Sequence, residues 1–195
     1  MRGFLGLRPT PPLFDRNAAR SALGAVSFVP DNRRLADYWL SLWDGDALPL
    51  RRHFEPRRVP NLLSGICIFD VVPNKQVTCR LAGSAIRQAL GYELKNTDWL
   101  AHLAPGDRPV RLSRFTELTL GTAAWSLRRA RYIDGHDRIA EEILLPFGDV
   151  GLDDVRHVMT HSAWRPAKLP LDQPQLSGAE NLSIEFRTIQ LAKID

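Results

Sequence analysis

The amino-acid sequence predicts an α+β domain built on an antiparallel sheet, and three observations carry that prediction. Apolar runs bounded by turn residues mark five strand candidates. The candidates fall into two groups, two before and three after a block of helical spacing. Within each group the connections are short polar turns, which suit hairpins and are too short for parallel crossovers.

The chain has 195 residues, enough for one packed core with extensions but too few for two ordinary domains. At 44% hydrophobic and 25% charged it has the composition of a globular protein. No window reaches the eighteen or so uninterrupted apolar residues of a spanning helix, and MRGFLGLRPTPPLFDR has no signal-peptide core, so a cytoplasmic location is expected. Cys67 and Cys79 are too few for a disulfide framework or a four-thiolate metal site, and read as buried small hydrophobes. The net charge of +4 is concentrated early: residues 1–60 hold ten Lys or Arg against six acids, residues 61–166 thirteen against twelve. A nearly neutral middle argues against a nucleic-acid-binding module.

Residues 1–30, rich in Pro, Arg and small residues, read as a poorly structured arm. Asp31-Asn32 then caps a helix whose Leu35, Tyr38, Trp39, Leu42 and Trp43 share one face and which Gly45 and Pro49 stop. The connector LPLRRHFEPRRVPNLLSG, with four Arg and three Pro, reads as extended, and closes a segment of residues 31–64. From Gly65 a hairpin is expected: Ile66–Val71, a turn at Pro73-Asn74-Lys75, then Gln76–Ala82. Equal spacing from Pro73 would set Cys67 opposite Cys79. Gly83 and Gly91 bound a short helix in which Ile86 and Leu90 lie one turn apart. A longer helix with Val110, Leu112, Phe115, Leu118 and Leu120 on its apolar face ends at Gly121. Three strands follow, 123–132, 139–146 and 155–164, with IDGHD and FGDVGLDD as turns. The main domain is therefore 65–166. The extension 167–195 contains LSIEFRTIQLAKID, whose alternation fits either a strand or a helix.

This order, together with particular residues, resembles the PAS domain, and within it an alphaproteobacterial subgroup of small, mostly standalone PAS-like proteins. The subgroup's connector, P-x-R-x-x-F-x-P-x-x-I/V-P-x-L-L, is matched by Pro49, Arg51, Phe54, Pro56, Val59, Pro60, Leu62 and Leu63. Its R-L-A/V-G segment is matched by Arg80, Leu81, Ala82 and Gly83, with Gly91 closing the helix. The resemblance spans Leu35 to Trp164. It implies a five-stranded antiparallel sheet in the order 2-1-5-4-3, covered by helices, with the family's cavity between sheet and longest helix. It also implies a sensor or regulatory protein in signal transduction, without catalytic activity.

Candidate chemistries were weighed residue by residue. Gly83 and Gly91 stand too far apart, with no Lys between them, for a phosphate loop. TCRLAG differs from the flavin-photoreceptor motif in having its cysteine on a strand, and the long helix carries no His to ligate haem, so no cofactor is expected. His157 and His161 lie on one strand face about 13 Å apart, too far to share a metal ion. Glu141-Glu142 and Asp153-Asp154 point alternately to opposite faces and read as solvated. A small-ligand pocket would be lined by Leu112, Phe115 and Leu118 against Trp125 and Leu127, with Arg111, Arg114 and Arg128 for an anionic group, although a packed core is the stronger reading. Leu35, Trp39 and Trp43 form the candidate surface for a signalling partner or a homodimer, provided that they do not pack on their own sheet. A nucleic-acid-associated regulator using Arg51, Arg52, Arg57, Arg58 and the Arg128-Arg129-Arg131 strand is the alternative.

Overall fold

Six strands among the described residues form one antiparallel sheet: β1 (Ile66–Val72), β2 (Gln76–Ala82), β3 (Thr122–Arg131), β4 (Asp137–Val150), β5 (Arg156–Pro166) and β6 (Leu182–Gln190). Their order is β2-β1-β5-β4-β3-β6, which is the predicted five-stranded order with one strand added beside β3. The computed structural model describes residues 14–131, 137–166 and 182–191. The start of the arm, the IDGHD turn up to His136 and most of the C-terminal extension lie outside them. The ambiguous tail segment is a strand, paired with β3 from Thr122↔Gln190 to Arg129↔Leu182 with an irregularity between Leu127 and Arg128.

Both faces of the sheet are covered. On one lie α1 (Arg16–Gly24) and α2 (Pro30–Ser41), and on the other α3 (Ser84–Leu90) and α4 (Arg108–Thr119). This double burial explains why Ile66 to Phe69 read as an unbroken apolar run: Ile66 and Ile68 enter the core beneath α2, Cys67 and Phe69 the core beneath α4. A strand with a solvated face would have alternated.

The N-terminal region is more ordered than its composition suggested. Asp15 caps α1 by accepting from the N–H groups of Asn17 (2.7 Å) and Ala18 (3.2 Å), and Ala19 and Leu23 are buried. Val29, not Asp31-Asn32, precedes α2; Pro30 takes the first helical position, where its missing N–H costs nothing. Asn32 is thereby freed to turn inward. The connector is not extended but folds into three short 3₁₀ turns, Arg51–His53, Pro56–Arg58 and Pro60–Gly65, the last two opened by proline. FGDVGLDD is only partly a turn, since β4 continues past Pro146 to Val150 through an irregularity in its pairing with β5.

Gly83 and Gly91 bound α3 for different reasons. Gly91 closes the helix with φ of 78°, a left-handed conformation that L side chains disfavour. Gly83 has an ordinary φ of −67°, but a Cβ there would lie 2.3 Å from the carbonyl oxygens of Leu63 and Ser64. Close backbone approach is what demands glycine at that point, where the sheet hands over to its helical cover.

Candidate functional site

Strand alternation decides which side chains meet α4. Ala124 packs in the core beneath α4, so Ser126 and Arg128, of the same parity, face that helix too. Trp125 instead packs in the core on the α1–α2 side, with the Arg187 guanidinium 5.5 Å over its ring, and Leu127 shares its face. Of the expected pocket residues, Leu112, Phe115 and Leu118 do lie together beneath α4, Phe115 edge-on to Phe69 at 5.1 Å. Trp125 and Leu127 are on the far side of the sheet and cannot form the pocket's other wall.

The wall is polar instead. Glu142 stands across from Ser126 on β3 and Ser162 on β5, and accepts from Ser126 Oγ at 3.3 Å and Ser162 Oγ at 2.7 Å. The guanidinium of Arg128 is ion-paired with the same carboxylate, the two side chains keeping only 9% and 13% of their exposure. Arg128 Nε remains buried with no hydrogen-bond partner. Arg111, from the overlying α4, is half-buried and makes no hydrogen bond or ion pair with the described residues. Burial pulls its guanidinium below the ordinary arginine range, the neighbouring Arg128 adds to this, and Glu142 opposes it. Two guanidinium groups thus share one carboxylate, and the cluster carries an excess positive charge.

Arg114 points elsewhere, stacking over the Phe186 ring at 4.1 Å. With Pro109, Val110, Ser113, Glu117, Phe186 and Thr188 it lines an open groove of about 450 Å³ between α4 and β6.

The opposite face of the same strands carries a second polar group. Glu141, immediately before Glu142, accepts from Asn32 Nδ2 at 2.9 Å and from the Val29 backbone N–H at 2.9 Å. Asn32 Nδ2 also donates to the Glu141 carbonyl at 3.2 Å, which fixes the amide orientation and turns Oδ1 toward His161 Nδ1, 2.6 Å away. His161 therefore donates from Nδ1. The glutamates do point to opposite faces, but both are enclosed and not solvated, because α2 covers one face and α4 the other. His157 is turned to Asp70 at 2.9 Å and Asp149 at 3.6 Å, away from His161.

Burial holds His161 below its ordinary value of 6.5, with Asp31 and Glu142 offsetting only part of the effect. The unfolded chain therefore takes up a proton near pH 6.5 that the folded chain refuses. Stability is present in full above that pH and falls as pH drops toward the lowered folded-state value. Urea unfolding at pH 7.5 and 5.5 is expected to show a loss of about 1 kcal/mol that shrinks in His161→Gln. An identical loss in that variant would place the proton uptake elsewhere.

The expected interaction face is consumed. Leu35, Trp39 and Trp43 are all buried: Trp39 and Trp43 meet edge-to-face at 5.4 Å and Trp39 Nε1 donates to the Pro146 carbonyl at 3.0 Å. They join α2 to its own sheet and present no surface for a partner. Of the basic residues noted in the sequence, Arg57 and Arg58 are exposed and drawn to Glu55, and Arg128 is buried against Glu142. What the sequence missed was the polar row Ser126–Glu142–Ser162; its signal was the odd-even alternation of W-S-L-R, read with the wrong phase.

No curated protein matches the chain. A solved structure described as an RNA-binding Light-Oxygen-Voltage receptor aligns at 18% identity over 75% of this chain and 47% of that one, with a TM-score of 0.38. This chain spans less than half of that receptor, and the likeness is too loose to carry a conclusion. The family model described as PAS domain matches residues 27–157, from the approach to α2 into β5. That match covers more than half of the chain and takes in α2, β1 to β4, α3 and α4 with the start of β5, so the chain belongs to the PAS domain family.

Proposed function

We propose that this protein is a PAS sensor or regulatory protein that binds a small anionic ligand against the Arg111–Arg128–Glu142 cluster. It passes on the occupied state by shifting how α1 and α2 dock on the other face of the sheet, to a signalling protein or to a second copy of itself. No catalytic step is part of this reading. A cytoplasmic location is part of this reading; among the described residues no helix is long and apolar enough to cross a membrane.

The observation that supports it is the polar cluster itself. A sheet face that needed only to pack against α4 would be apolar, since a buried ion pair is costly to desolvate and often no more stabilising than a hydrophobic pair. Here an unpartnered guanidinium and a buried Arg128 Nε face the same place. An acidic ligand would neutralise the excess charge and complete the hydrogen bonds. Docking is within reach, because Glu141 and His161 are the chain neighbours of Glu142 and Ser162 and hold Asn32 of α2. A ligand that prefers one arrangement of these strands shifts the population of docked helices.

Native mass spectrometry of the protein as purified, followed by thermal shift against a panel of small carboxylates and phosphates, tests this. A bound or shifting ligand is expected, with affinity weakened about tenfold or more in Arg111→Gln, a loss of about 1.4 kcal/mol. A clean apo mass and no shift across the panel would overturn the ligand and leave protein docking alone.

A further inference from the structure

The two cysteines are not used by this reading, and they are in contact. Cys67 on β1 and Cys79 on β2 are both buried with their side chains beneath α4. They are not direct partners: Phe69 stands opposite Cys79, and an irregularity between Ile68 and Phe69 leaves Arg80 as an extra residue, so that Cys67 stands opposite Ala82. The bulge defeats the equal spacing from Pro73. The thiols nevertheless lie on one diagonal, and Cys79 Sγ donates to the Leu81 carbonyl at 3.4 Å. Their proximity makes the pair unequal: the Cys67 thiol draws the Cys79 thiol down, against the opposing effect of burial, and Cys67 is itself pushed well up.

β2 is an edge strand, and the outer side of its backbone at Cys79 is covered only by a loop segment, through Cys79 N–H to the Thr97 carbonyl (3.0 Å) and Asn96 N–H to the Cys79 carbonyl (2.6 Å). Asn96 holds a left-handed φ of 63°. These two bonds and the neighbouring Thr78↔Asp98 bridge are the contacts that an attack on Cys79 from the sheet edge would have to release.

We propose that Cys67 and Cys79 are a peroxide-responsive pair that closes to a reversible intramolecular disulfide. The Cys79 thiolate attacks one oxygen of a hydroperoxide; the O–O bond breaks, the other oxygen leaves with a proton as alcohol or water, and Cys79 becomes a sulfenic acid. The Cys67 sulfur then attacks the Cys79 sulfur, its proton joins the departing hydroxyl, and water leaves as the S–S bond forms. Two thiols lose two electrons to one peroxide. Diagonal neighbours on a regular ladder have Cα atoms about 7–8 Å apart, beyond the usual span of a disulfide, so closure draws β1 and β2 together at the bulge. Such a bond is readily reduced again, and its formation shifts the strand ends from which α3 springs.

The test uses the full chain. Wild-type protein is treated with hydrogen peroxide, quenched, denatured and alkylated, and its intact mass is read. The expected result is loss of both alkylation sites together with two hydrogens, in a monomer whose sites return after dithiothreitol. Cys67→Ser should accumulate a dimedone-reactive sulfenic acid on Cys79, and Cys79→Ser should leave Cys67 alkylatable. Two alkylatable thiols at peroxide levels that oxidise a free thiol peptide would overturn the proposal. So would a disulfide found only between chains, or sulfinic acid on Cys79 without crosslinking. The wild-type mass decides the matter even if a variant fails to fold, and it does not depend on whether an anionic ligand binds.

Discussion

Arg128→Met is expected to lower the stability of the protein by about 3–5 kcal/mol, the cost of leaving a buried carboxylate without its counter-charge. Glu142 would keep the hydroxyls of Ser126 and Ser162, but these are neutral donors, and the carboxylate would remain enclosed between β4 and α4. Arg111 faces the same carboxylate and is free to turn toward it, so the loss should be larger still in Arg111→Gln/Arg128→Met. The double replacement Arg128→Met/Glu142→Leu should recover most of the stability, because an apolar pair of similar volume avoids desolvating either charge. Denaturant unfolding of wild type, Arg128→Met, Glu142→Leu and Arg128→Met/Glu142→Leu gives a double-mutant cycle whose coupling separates the ion pair from simple loss of volume. A cost below about 1 kcal/mol for Arg128→Met would show that the pair is solvated, in the range of surface ion pairs. The same proteins bear on the ligand reading: the apolar double variant should keep most of the wild-type stability, yet bind no anion.

Arg111 and Arg128 were legible as candidate anion binders, and why the Ser126–Glu142–Ser162 row was not is a matter of phase. In A-A-W-S-L-R-R the alternation is plain, and the large apolar side chains Trp125 and Leu127 were assigned to the face beneath the long helix. That rule works when one face of a sheet is wet, and it has no power when both faces are covered. α1 and α2 supply a second apolar roof, so hydrophobicity marks burial without saying beneath which helix. The parity of Glu141 and Glu142 was correctly read as opposite, but solvation was inferred from charge alone. The order of elements, by contrast, was legible, because turn residues and the two-then-three grouping of strands do not depend on which face is which. The sixth strand was undecidable from its own alternation: what makes LSIEFRTIQ a strand is the free edge of β3, a tertiary fact. The bulge at Arg80 is likewise invisible, since register beyond a turn is set by packing on α3 and the 3₁₀ turn before β1.

Trp39→Ala is expected to cost about 3–5 kcal/mol and to expose one face of the sheet. The indole is fully enclosed, sits edge-on to Trp43, and gives its N–H to the Pro146 carbonyl at the point where β4 departs from regular pairing with β5. Removing it leaves a cavity among Leu35, Ile143, Leu145 and Met159, and strips a buried carbonyl of its donor. Trp39→Phe, which keeps most of the volume and loses the hydrogen bond, should cost distinctly less, near the 1–3 kcal/mol of an unsatisfied buried group. The comparison discriminates between two ways of building a sensor. If α2 is an integral part of the cooperative core, Trp39→Ala will lower the unfolding midpoint while leaving a single transition whose steepness is unchanged. If α2 is a docked switch, the variant will lose the helix first: a pre-transition, early hydrogen exchange across Pro30–Ser41, and a largely intact transition for the sheet with α3 and α4. The polar lock of Asn32, Glu141 and His161 gives the second outcome a route, because beside the apolar face of α2 it ties the helix by hydrogen bonds to the two strands that also carry the Glu142 cluster. A ligand that alters those strands needs only to change the docking equilibrium by the few kcal/mol that such a lock supplies. A single unperturbed transition in Trp39→Ala would therefore remove α2 as the reporting element and leave the sensing signal to be carried by another part of the fold.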